Sequence, residues 1–195
     1  MEKSRLIGIV GAGRGTGTTH LSILTANYLA SCRQRNTALI QWSGRMDLWP
    51  VEHMLKGCRK RKEDTDLEEG FRLLEVDYYH RGNAGVLTRC MGLGYEDIVI
   101  DFGEMRQQIR TEWLRCGINV VTASLSEWKL EAFLELLSGE EKRQKGWVYT
   151  AAFGSEDTRR EIERRFRIPL RRIPLSVDAF SVDRKTMEWF EKILQ

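Results

Sequence analysis

The chain has 195 residues, a formal net charge of +3 and 42% hydrophobic residues, enough length to bury about 70% of the surface its unfolded form exposes. Cys32, Cys58, Cys90 and Cys116 are scattered without a C-x-x-C pair, which excludes a zinc ribbon or redox motif and reads as reduced thiols. No apolar run is long enough to span a bilayer, and the N-terminal MEKSRLIGIVGAG is broken by glycine too soon for a signal peptide, so a cytoplasmic protein of one domain, residues 1–195, is expected.

The first element is an apolar strand, Leu6 to Val10, which runs into the glycine-rich stretch GAGRGTGTTH and then a helix from Thr18 to Cys32 with Leu21, Leu24, Tyr28 and Leu29 on one face. A second strand, Thr37 to Trp42, precedes a basic cluster at Lys56, Arg59, Lys60, Arg61 and Lys62 that reads as a solvated loop. Further strands are expected at Phe71 to Val76, Asp97 to Asp101, Ile118 to Ala123, Trp147 to Ala152 and Leu170 to Ile173, with a helix from Glu127 to Leu137. Adjacent parallel strands need crossover connections, so the alternation predicts an α/β fold with three layers: a mostly parallel central sheet and helices on both faces. Ligands in such folds sit beyond the C-terminal strand ends, where Gly11 to Thr19 would lie.

That loop is a defective phosphate cradle. The pattern G-x-x-x-x-G-K-[ST] wraps phosphates in backbone N–H groups, neutralises them with lysine and holds Mg²⁺ by the last hydroxyl. Here the matching residues are Ala12, Gly17, Thr18 and Thr19, so the hydroxyl survives and the lysine does not. Gly13, Arg14, Gly15, Thr16, Gly17, Thr18 and Thr19 are the candidate phosphate-binding residues. The dinucleotide fingerprint G-x-G-x-x-G fails on spacing, because it needs glycine at Thr16 or Thr18, and the second strand ends in Gln41 and Trp42 rather than an acid. A glycine turn without ligand is the plain alternative.

The segment YEDIVIDFGE, Tyr95 to Glu104, looks like a Walker B strand. Its Asp101 and the loop's Thr19 are the candidate metal ligands, and Gly103 is placed to offer a backbone N–H to a terminal phosphate. Asp101 as a simple turn cap is the competing account. His20 begins the helix beside the loop, in a structural or a supporting role; His53 and His80 show no metal-ligand pattern.

Together, GAGRGTGTTHLSILTANYLA, YEDIVIDFG and the closing RIPLSVDAF with its terminal helix resemble the deviant-Walker ATPases typified by MinD and ParA, in particular their atypical TadZ-like members. The resemblance implies an ATP (or ADP) and Mg²⁺ site, weak hydrolysis at most, a nucleotide-dependent homodimer, and protein partners in a localisation, secretion or pilus machine. Placement would be cytoplasmic, or peripheral at a membrane or cell pole. By the same likeness Phe153, Gly154, Pro174 and Val177 fall in the adenine region, with Phe153 read rather as a core residue, and Ser43 with Gly103 fall in the γ-phosphate or switch region.

The departures bear on activity. The family's signature lysine falls on Gly13, with Arg14 one residue away, and Arg14 is expected to supply phosphate charge in its place. Family aspartates at the end of the second strand are replaced by Gln41, Trp42 and Ser43, with Asp47 the nearest acid downstream. Phosphoryl transfer depends on charges positioned around the phosphate, so hydrolysis should be slow or absent. A pseudo-ATPase scaffold binding partners without nucleotide, and a small-molecule kinase of the P-loop class, are the alternatives. The arginine-rich segment, Arg159 to Arg172, diluted by Glu161 and Glu163, reads as a solvated helix face, with a surface for nonspecific DNA or acidic partners as the alternative. The terminal helix, with Met187, Phe190, Ile193 and Leu194 on one face, is expected to pack on the sheet, with membrane contact as the lesser alternative.

Overall fold

A computed structural model describes residues 4–42, 44, 48, 50, 53–54, 70–139 and 146–194. Ser43, Asp47, Cys58 and the basic cluster from Lys56 to Lys62 lie outside the described residues. The described strands are β1 (Arg5–Gly11), β2 (Thr37–Gln41), β3 (Phe71–Leu73), β4 (Val76–Tyr79), β5 (Asp97–Glu104), β6 (Ile118–Leu125), β7 (Trp147–Gly154) and β8 (Leu170–Arg172). They form one sheet in the order β3-β4-β2-β5-β1-β6-β7-β8, parallel throughout except for the β3–β4 pair.

The helices are α1 (Thr18–Asn27), continued by a π-helical turn (Tyr28–Cys32), α2 (Ala84–Gly92), α3 (Gln107–Leu114), α4 (Leu130–Gly139), α5 (Glu156–Phe166) and α6 (Arg184–Ile193). Strand residues alternate between two cores. Ile7, Ile9, Leu39 and Val99 pack with α1 and α6, while Ile40, Ile98 and Ile100 pack with Val86, Trp113, Phe133 and Ile162 from α2 to α5. The predicted three-layer α/β arrangement is therefore present, with near-continuous apolar strands as expected for a sheet covered on both faces.

Gly8 on β1 shows what the central strand requires. A Cβ there would stand 2.7 Å from Cys116 Sγ and 2.8 Å from Trp113 Cδ1. The missing side chain lets the fully buried Trp113 indole cross the strand and donate to the Gly8 carbonyl at 3.0 Å. Burial of such a ring contributes roughly 1.5–3 kcal/mol, and its N–H is satisfied rather than stranded.

Two expectations change in detail, and the third, the packing of the terminal helix, is met. The single strand predicted from Phe71 to Val76 is an antiparallel β3–β4 hairpin, turned at Leu74 in the left-handed region (φ 55). The strand predicted to stop at Asp101 continues to Glu104, because a bulge opposite Ile9 to Gly11 lets β5 overrun. The terminal helix spends its apolar face in the core: Phe190 is fully buried and its ring stacks on Tyr28 at 4.8 Å. Among the described residues no helix is long and apolar enough to cross a membrane.

Candidate functional site

β1 lies at the sheet centre between β5 and β6, so its C-terminal end meets the ends of both neighbours. The chain leaves it at Gly11 and returns as α1 at Thr18. Gly15 (φ 67) and Gly17 (φ 87) adopt left-handed backbone, which makes the tight reversal accessible without side-chain strain. Gly17 caps α1 with no side-chain acceptor and no acidic residue occupies the first turn. Helices α2, α5 and α6, in contrast, are capped by Asn83, Ser155 and Asp183. The open N–H groups and the helix dipole suit an anion at the loop. Gly13 to His20, with Gly103 and Glu104, line a recess of about 190 Å³ there.

Thr18, in the register of the usual lysine, brings no cation to this recess. Its hydroxyl is buried in a knot with Thr16 Oγ1 at 3.3 Å and Thr122 Oγ1 at 3.0 Å; Thr16 and Thr122 are 3.1 Å apart. Thr16 also donates to the Gly13 carbonyl at 3.1 Å. The loop is thus pinned from beneath to β6, reinforced by the Ala12 N–H donating to the Thr122 carbonyl at 2.8 Å. Gly11 allows this knot, since a Cβ there would stand 2.5 Å from both Thr16 Oγ1 and Thr18 Oγ1.

Thr19 and Asp101 come together as the sequence suggests. Thr19 Oγ1 donates to Asp101 Oδ2 at 2.7 Å, and Asp101 is fully buried within the C-terminal half of β5. A hydroxyl and a carboxylate side by side at a phosphate loop are the oxygen donors a Mg²⁺–nucleotide site needs, and Mg²⁺ would keep waters at its other positions. Gly103 (φ 69) lines the recess, and its N–H donates to Asp101 Oδ1 at 2.9 Å. The bulge sends Glu104 alongside Gly11, where its carboxylate lies 3.6 Å from Arg14 and 3.7 Å from Arg106. Arg14 is therefore at the loop, with its side chain 74% exposed and turned towards an acid.

Sequence reasoning missed Lys129. It follows β6 in a turn closed by the Ser126 carbonyl, which accepts from Lys129 N and Leu130 N at 2.9 and 3.0 Å. Its ammonium donates to the Gly15 carbonyl at 2.9 Å across 114 residues. Nothing in the local sequence SEWKL marks it; only the adjacency of β6 to β1 brings it there.

A larger cavity, about 780 Å³, opens from the same loop residues Thr16, Gly17 and His20 and continues between the ends of β7 and β8 and helix α6. Phe153 and Pro174, which the resemblance sets in the adenine region, line it, and Phe153 is 58% exposed and so not core; Val177 does not line it and is 94% exposed. Arg172, Lys185 and Lys192 bring positive charge to its wall. Burial lowers the His20 pKa below the ordinary histidine value, against a smaller opposing pull from Asp178, and His20 Nε2 is buried without a partner among the described residues.

Gln41, where the resemblance expects an acid, is fully buried at the end of β2 in register with Asp101. The arginines of α5 are largely spent on neighbours. Arg159 pairs with Glu156 at 2.5 Å and Glu163 at 2.7 Å, and Arg164 with Glu161 at 2.5 Å.

No protein-family model and no curated protein matches the chain. Solved structures do. A plasmid partition protein of Borrelia burgdorferi B31, bound to AMPPNP, superposes with a TM-score of 0.66 at 13% identity, covering 99% of this chain and 97% of that one. A ParA family ATPase of Chlorobium tepidum TLS gives 0.64 at 16% identity over 99% of both chains. The septum site-determining protein MinD of Pyrococcus horikoshii OT3, complexed with Mg-ADP, gives 0.60 at 13% identity over 97% of this chain and 94% of that one. At such identities the likeness shows the fold.

Proposed function

We propose, from a chain with the fold of the ParA and MinD ATPases, that it binds ATP or ADP with Mg²⁺ and serves as a nucleotide-dependent switch in localising or assembling a cellular machine. The observation that carries this reading is continuity: the loop residues Thr16, Gly17 and His20 line both the phosphate-sized recess and the larger cavity beside it. A nucleotide would lay its phosphates on the N-terminus of α1, with its base between Phe153 and Pro174. Thr19 and Asp101 would hold the metal, whose contribution is to neutralise phosphate charge. AMPPNP in the Borrelia protein and Mg-ADP in the Pyrococcus protein support the assignment of ligand class.

The same geometry supports slow turnover. Thr18 brings a buried hydroxyl where a lysine would bring charge, and Gln41 brings an amide where an acid would orient water. Trp128, Phe153, Leu175 and Val177 stand exposed on segments at or after the ends of β6, β7 and β8. Phe153 and Leu175 line the larger cavity, and the exposed apolar side chains together offer a surface that a second copy would cover, in keeping with a nucleotide-dependent homodimer. TadZ-like roles at a pole or pilus, and DNA contact through α5, are finer readings within this proposal. Peripheral membrane contact through α6 is weakened by the burial of Phe190 and Ile193.

Calorimetric titration with Mg-ATP tests the reading: a saturable heat is expected, with a rise in melting temperature by mass action. No heat and an unchanged melting temperature would overturn it. The scaffold reading draws on the Arg14–Glu104 pair, which sets a carboxylate beside the anion site; it predicts that second result.

A further inference from the structure

The loop's missing cation has a replacement in space. We propose that Lys129, from the turn after β6, is the positioning lysine of the phosphate loop, holding its backbone in the phosphate-binding shape and adding the charge that Thr18 lacks. This rests on the nucleotide reading above.

Three observations support it. The Lys129 ammonium donates to the Gly15 carbonyl at 2.9 Å, which brings a cation to the loop itself. Gly15 makes the approach possible: a Cβ at that position would stand 2.7 Å from Lys129 Nζ. The same segment packs further along the loop, where a Cβ on Gly13 would meet Ala132 Cβ at 3.3 Å, close to the position where the family lysine would root.

The chemistry follows from peptide geometry. A carbonyl held outward by an ammonium turns the adjoining peptide N–H groups the other way, towards the recess, and polarises them as donors. With the threonine knot below and Lys129 alongside, the cradle is preformed by β6 instead of being drawn closed by its own lysine. Preorganised donors cost no rearrangement when an anion arrives. The lysine's own charge adds attraction that grows with the number of phosphates, because each adds negative charge nearby.

The test compares ATP, ADP and AMP, each with Mg²⁺, on wild type, Lys129→Met and Lys129→Arg by calorimetry. Lys129→Met should lose about tenfold or more in ATP affinity, less for ADP and least for AMP, about the scale of one charge-assisted hydrogen bond. Lys129→Arg should recover most of it. The ratio of ATP to AMP affinity within one sample cancels any loss of folded protein. An equal fall for all three nucleotides, or no change, would overturn the role of Lys129 while leaving the site intact. Absence of binding in the wild type would instead remove the nucleotide reading itself.

Discussion

Thr18 Oγ1 lies 3.0 Å from Thr122 Oγ1, deep beneath the phosphate loop. The residue in the lysine register fastens the loop to β6 through its hydroxyl. The loop keeps its shape through contacts made from a neighbouring strand.

Thr122→Val removes the hydroxyl shared by Thr16 and Thr18 while keeping the side-chain shape. Loss of a buried hydrogen bond should lower stability by about 1 kcal/mol. In urea the midpoint should fall with an unchanged m-value. An unchanged midpoint would mean the knot contributes nothing to holding the loop.

Thr19→Ala takes away the hydroxyl that donates to Asp101 Oδ2 at 2.7 Å. Nucleotide affinity should become less dependent on Mg²⁺, since the cation would lose one of its two protein oxygens. Titrations of nucleotide at several Mg²⁺ concentrations measure this, and an identical magnesium profile would rule out Thr19 as a ligand.

The Arg14–Glu104 contact at 3.6 Å offers a paired prediction. Glu104→Gln should tighten Mg-ATP binding severalfold, on the order of 1 kcal/mol, by removing negative charge from the recess and releasing Arg14. Arg14→Ala should weaken it. If neither variant changes affinity, the phosphates do not lie near this pair.

His20 predicts a pH dependence. Burial holds its pKa below the ordinary value, so the unfolded chain binds the proton first as pH falls. The stability due to neutral His20 is fully present above the unfolded value of about 6.5 and is lost as pH drops through the lower folded value. Melting temperatures of His20→Gln should therefore fall less steeply than wild type below that pH. Parallel curves would show that His20 does not titrate with folding.

Much of the fold was legible because periodicity reports local structure: the apolar runs from Leu6, Thr37, Asp97, Ile118, Trp147 and Leu170 are all strands. The approach of Thr19 to Asp101 was legible because a local motif marks each, the glycine loop opening α1 and the apolar run of β5. The β3–β4 hairpin was not, since Leu74 turns the chain with a positive φ where no glycine, asparagine or proline announces it. The overrun of β5 was also hidden, because a bulge depends on the register against β1. Lys129 and Thr122 carry no sequence signal of their own. Their roles exist only through the strand order that sets β6 beside β1, and no motif spans that separation.

The most direct measurement of the central claim is a crystal structure of the protein grown with Mg-ATP. The account predicts phosphate density over Gly13 to Thr19, a cation contacting Thr19 and Asp101, and the base between Phe153 and Pro174. A structure from crystals saturated with nucleotide that shows no ligand in the recess, or one bound elsewhere, would contradict it.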